Sequence, residues 1–115
     1  MKERSDDLVS IIGELKSINK RLSDCYKTMW EEGKRYSSDE RDYKIALQKR
    51  ILELKAEGMS VTLIPDIARG TEIVADLKFK RDVSERKYET AKESVRSLRT
   101  IASVYQSILK VQDEV

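Results

Sequence analysis

Apolar residues recur along this chain at alternating steps of three and four. The first run is Leu8, Ile12, Leu15, Asn19, Leu22, Tyr26, Met29, Gly33 and Tyr36. It continues in phase through Glu40, Tyr43, Leu47, Arg50 and Leu54, and Ile11, Ile18 and Cys25 widen its apolar side. Such spacing belongs to a helix that packs lengthwise against another. A cleaner run joins Val74, Leu77, Arg81, Ser84, Tyr88, Ala91, Val95, Leu98, Ala102, Tyr105, Leu109 and Gln112. The pattern predicts one helix over about 6–57 and another over about 71–112. Ser5 is the expected cap of the first, with Asp6 and Asp7 where the helix dipole favours acids. Ser37 and Glu40 have capping-box spacing, yet the seam crosses them without a change of phase, so one helix, with a bend at Gly33 or the two serines, is favoured there over two helices in line. Asn19 is the expected polar member of the seam, a residue type that fixes register.

Between the two runs lies the tip, 58–70, with the chain's one Pro and two of its four Gly. Gly58 is a natural left-handed stop for the first helix. Thr62 is the expected cap of a short helical turn that tolerates Pro65 in its first positions. Gly70 ends it, and Thr71 starts the last helix. A short connection makes long helices antiparallel neighbours. Folding about the middle of the tip sets Leu54 near Val74, Leu47 near Arg81, Gly33 near Val95 and Leu22 near Tyr105. The expected fold is therefore all-α: a long, coiled-coil-like antiparallel helical hairpin, taken as one domain over 1–115.

Composition sharpens this picture. Charged residues are 38% of the 115 and aromatic residues 6%, too few large apolar groups for an ample core at this size. The wide apolar face of the first helix, with Ile101, Val104, Ile108 and Val111 on the last, needs a further surface. That points to a homodimer, two hairpins making a four-helix bundle; the alternative is a monomer with harmless scattered apolar residues. With one Cys and no His, neither an internal disulfide nor a zinc site is expected. No apolar run reaches membrane-spanning length and no signal-type core follows the first residues, so a cytoplasmic protein is expected.

Two groups of residues are candidates for contact with another macromolecule. In the tip, Met59, Val61, Leu63, Ile64 and Ile67 either plug the end of the hairpin or form an apolar knob, with Leu63, Ile64 and Ile67 as its partner-binding residues. Arg50, Arg69, Lys78, Lys80 and Arg81 crowd near the tip and suit phosphate contacts, hence nucleic acid. A net charge of +2 and the neighbouring Glu53, Asp76 and Asp82 favour ion pairing instead. Lys92, Arg96 and Arg99 form a basic stripe diluted by Glu85, Glu89 and Glu93. Trp30-Glu31-Glu32-Gly33 misses by one residue the Trp-x-Gly turn of small secreted helical hairpins and lies within a helix, so Trp30 is read as a packing residue. No nucleophile–base set, phosphate loop or pair of metal carboxylates stands out, so no enzyme and no cofactor is expected.

The segment Leu54-Lys55-Ala56-Glu57-Gly58-Met59-Ser60-Val61-Thr62-Leu63-Ile64-Pro65-Asp66-Ile67-Ala68-Arg69-Gly70, with Ala75-Asp76-Leu77-Lys78-Phe79-Lys80-Arg81-Asp82 after it, resembles small helical proteins of bacteriophages and prophages of Gram-positive bacteria. The resemblance covers about half the chain. It implies a non-catalytic accessory protein in the host cytoplasm, acting on a host factor or near phage DNA replication or recombination.

Overall fold

The computed structural model describes residues 2–114, with side chains from 5 to 112. It is an all-α helical hairpin of three helices: α1 (Lys2–Ala56), α2 (Ile64–Gly70) and α3 (Glu72–Glu114). Helix α1 passes unbroken through Gly33, Ser37 and Ser38. It already includes Ser5, so the expected cap lies inside the helix and the expected start near Asp6 is too late. Packing divides the chain into two compact units, Met1–Trp30 with Thr90–Val115, and Glu31–Glu89. Both are pairings of an α1 segment with an α3 segment.

In the unit holding the chain ends, Ile18, Leu98 and Ala102 are buried together, and Leu15, Leu22, Cys25 and Tyr105 pack around them. The α1 face turned inward is Leu8, Ile11, Leu15, Ile18, Leu22, Cys25 and Met29, all buried or half-buried. Ile12, Asn19 and Tyr26, placed in the seam by the sequence pattern, are exposed. Two columns of α1 share the Leu8, Leu15, Leu22 and Met29 positions, and either spacing is a heptad. The column with three apolar members, Ile11, Ile18 and Cys25, excludes more apolar surface from water than one interrupted by Asn19. Asn19 is thus not the polar seam residue. The α3 run needs no such change, since none of its twelve members is exposed.

In the other unit the tip controls the packing. Helix α1 ends in a Schellman motif: Met59 N–H donates to the Leu54 carbonyl (3.2 Å) and Gly58 N–H to that of Lys55 (3.0 Å), with Gly58 at φ +80°. Leu54 is fully buried and is covered by Ile64 and Ala68 of α2, with Leu47, Ile51 and Met59 around them. Helix α2 therefore occupies the place expected for Val74. Because α2 caps the last turns of α1, α3 begins alongside Arg50, whose Nε donates to Thr71 Oγ1 (3.2 Å). The register moves accordingly. A Cβ on Gly33 would lie 3.1 Å from the ring of Tyr88, seven residues before the expected Val95. Arg81 lies over the ring of Tyr43, 5.0 Å from its centroid, one turn of α1 before the expected Leu47. A one-heptad slip returns the same faces to each other, so the repeat alone does not distinguish the two registers.

Candidate functional site

The tip is half plug and half surface. Ile64 is 3% exposed and belongs to the core, so the expected partner-binding role is closed to it. Leu63 and Ile67 remain outward at 53% and 39%, joined by Val61 at 76%. Pro65 stands in the first turn of α2, as its spacing predicted. Thr62 does not cap that helix: Leu63 holds the cap position without a side-chain bond, and the Thr62 hydroxyl pairs with Ser60 at 3.1 Å. The backbone supplies the cap, with Leu63 and Ile64 N–H groups both donating to the Ser60 carbonyl. Thr71 does join α2 to α3. Its carbonyl accepts from Ala75 N–H at 2.8 Å, while its hydroxyl turns back to donate to the Ile67 carbonyl at 3.1 Å.

Each of the five cations proposed for phosphate contact stands beside a carboxylate. Arg50 pairs with Glu53 (3.1 Å) and Glu57 (3.9 Å), and Arg69 with Asp66 (3.7 Å). Lys78 meets Asp82 at 3.0 Å, and Lys80 meets Asp39 at 3.7 Å. Arg81 binds Asp82 at 2.9 Å and approaches Glu40 to 3.6 Å. Arg50 and Arg81 are the two arginines at seam positions, with only 29% and 19% of their side chains exposed. There their stems pack while their heads bond across the pair. Asp82 turns back along α3 toward Lys78 and Arg81. The Lys78 hydrogen bond holds the Asp82 carboxyl below its ordinary value; burial opposes it, and the charges of Lys78 and Arg81 add to the lowering.

The sequence pattern missed a polar layer in this unit. Asp39 is 5% exposed and Ser84 3%; the Ser84 hydroxyl donates to Asp39 Oδ2, and Lys80 approaches Oδ1 of the same carboxylate. Tyr36 and Tyr88 adjoin the layer with ring centroids 6.1 Å apart. Burial, then the charges of Glu40 and Glu85, pushes the Tyr36 hydroxyl above its ordinary pKa. Asp39 was legible as a position: it follows Tyr36 by three and precedes Tyr43 by four. Its neighbour Glu40 fits the run equally well, so the pattern did not choose between them.

Two apolar grooves lie open. One, of about 420 Å³, is lined by Asp42, Ile45, Ala46, Lys49, Arg50, Glu53, Thr71, Ile73 and Val74 near the tip. Ile45 and Ile73 there are 61% and 69% exposed. The other, of about 560 Å³, runs along α3 in the unit of the chain ends, lined by Thr100, Ser103, Val104, Ser107, Ile108, Val111 and Gln112. Among the described residues, no three His, Cys, Asp or Glu are grouped so as to hold a metal ion, and no helix is long and apolar enough to cross a membrane.

No family model, no curated protein and no solved structure matches this chain.

Proposed function

We propose that this is a non-catalytic accessory protein, of the kind its tip resembles in phages and prophages, that acts in the cytoplasm by binding another macromolecule. The observation that carries the reading is the set of outward apolar side chains Val61, Leu63 and Ile67 on a tip whose inner side chains are already buried. Exposed apolar groups clustered on a rigid support are typical of contact surfaces. The test keeps Ile64 intact and substitutes Leu63→Asp with Ile67→Asp. Helicity and melting temperature stay near wild type, and capture of a partner from host extract falls at least about tenfold, as loss of one or two anchors entails. Unchanged capture by a folded variant removes the tip from the function.

Nucleic-acid binding through Arg50, Arg69, Lys78, Lys80 and Arg81 is the lesser reading. Phosphates would have to displace carboxylates already beside each cation. Titration of single- and double-stranded DNA at low salt decides it, since phosphate-driven affinity falls steeply as salt rises.

A further inference from the structure

We propose that the outer stripe of α3, Ile101, Val104, Ile108 and Val111, is a self-association surface that receives the same stripe of a second copy in antiparallel orientation. The proposal rests on reading the chain as an interaction protein and assigns one face and one occupant to that activity.

The stripe is separate from the face that α3 uses within its own unit. Leu98 and Ala102 are buried and Tyr105 packs on them, whereas Ile101, Val104, Ile108 and Val111 are 43%, 54%, 39% and 60% exposed. Their steps of three, four and three make a second helical seam beside the first. Around them the chain changes character. From Thr100 to Leu109 ten consecutive residues carry no charge, the longest such run in a chain that is 38% charged. A helix with one packed face normally keeps charged residues on its other faces.

Three observations select a second copy as the occupant. First, the stripe reads alike in both directions. Reversing it exchanges Ile101 with Val111 and Val104 with Ile108, so every layer of an antiparallel pair contains one Ile and one Val. This is the self-complementarity that a two-fold interface requires. Second, Thr100, Ser103 and Ser107 flank the stripe, so small neutral side chains border the contact and no like charges meet there. The Thr100 hydroxyl already donates to the Arg96 carbonyl at 3.0 Å, and covering it strands no donor. Third, the area matches a definite kind of dimer. One helix face against another over the roughly three turns from Ile101 to Val111 buries on the order of 600 Å² in total, below the roughly 1,200 Å² of stable specific complexes. The contact is therefore a weak, concentration-dependent one between pre-folded hairpins.

Sedimentation equilibrium tests it directly. From about 1 µM to about 1 mM, a range that spans weak association, the apparent mass rises from 13.3 kDa toward twice that value. Val104→Asp with Ile108→Asp keeps the mass at that of the monomer throughout, with unchanged helicity by circular dichroism. Orientation is read in a Cys25→Ser background. Ser107→Cys, near the two-fold axis, cross-links to itself on oxidation, and Thr100→Cys does not. A wild type monomeric at every concentration overturns the proposal, and so does a folded double variant that still dimerises. Efficient Thr100→Cys self-cross-linking overturns the antiparallel orientation. A monomeric result leaves partner capture by the tip intact, so failure here is distinguishable from failure of the functional reading.

Discussion

The two units are built on the same repeat but filled differently. Around the chain ends the seam is aliphatic: Leu15, Ile18 and Leu22 against Leu98 and Ala102. In the Glu31–Glu89 unit it holds Asp39 with Ser84, Arg81 over Tyr43, Arg50 on Thr71 and Gly33 under Tyr88. An aliphatic seam gains free energy from burial in any register that keeps its faces together. Hydrogen bonds, ion pairs and a Gly–ring contact are satisfied in only one. The comparison teaches a division of labour: burial in one unit supplies affinity between helices, and the polar layer with the tip plug in the other chooses the alignment. Single buried polar groups are known to set register in paired helices.

The contrast can be broken most strongly at the plug. Leu54→Ala empties a fully buried position beneath α2, and a loss of about 2–5 kcal/mol is expected, read as a lower thermal midpoint. An equally large loss from Val61→Ala, an exposed neighbour, would contradict the plug.

Next in size is the polar layer. Asp39→Ala leaves Ser84 buried without its acceptor and is expected to cost about 1–3 kcal/mol in chemical denaturation. Asp39→Leu with Ser84→Ala sharpens the comparison, because it makes this seam resemble the aliphatic one. Stability is then regained while register is lost, and the distance distribution between spin labels at Lys44 and Arg86 splits into two. A single narrow distance in that variant assigns register to the tip alone.

Gly33 offers a smaller effect. Gly33→Leu is expected to destabilise by about 1–3 kcal/mol, because the Tyr88 ring occupies the space. Gly13→Leu, with open space around its Cβ position, shows no such loss, and thermal melts of the two variants make the measurement.

The smallest effects are electrostatic and confined to the Glu31–Glu89 unit. Asp82 has its folded-state pKa lowered, so its contribution is present above the ordinary carboxylate range and fades as pH falls through the lowered value. Asp82→Asn flattens that part of the acid limb, and salt screens the difference because the carboxylate is partly exposed. Tyr36 has its pKa raised, so its contribution is full below the ordinary tyrosine value and fades as pH rises through the raised one. Tyr36→Phe therefore removes a stability loss above about pH 10, measured by denaturation at successive pH values.

Much of this was legible along the chain. Steps of three and four marked both long helices, and every member of the α3 run is buried or half-buried, because that column keeps its phase from Val74 to Gln112 while the second apolar stripe spans only 101–111. Gly58 was legible as a stop, since a left-handed residue after a helix favours a side chain without Cβ. On α1 the pattern was ambiguous. Ile12, Asn19 and Tyr26 compete with Ile11, Ile18 and Cys25 for the same turn of the helix, and only the facing surface of α3 decides between them. At the candidate site the sequence marked the tip and the cluster of cations. It did not show that Ile64 faces inward while Leu63 and Ile67 face out, nor that Lys80 and Arg81 reach across to Asp39 and Glu40 of α1.

By itself the sequence determined that two long helices form, where the first one stops, and that the tip carries apolar residues, for these depend on residues close in the chain. Tertiary structure alone decided the register, the buried column of α1 and the inward turn of Ile64. Those depend on contacts such as Asp39 with Ser84 and Leu54 with Ala68, between residues a periodic pattern cannot tell from their neighbours one heptad away.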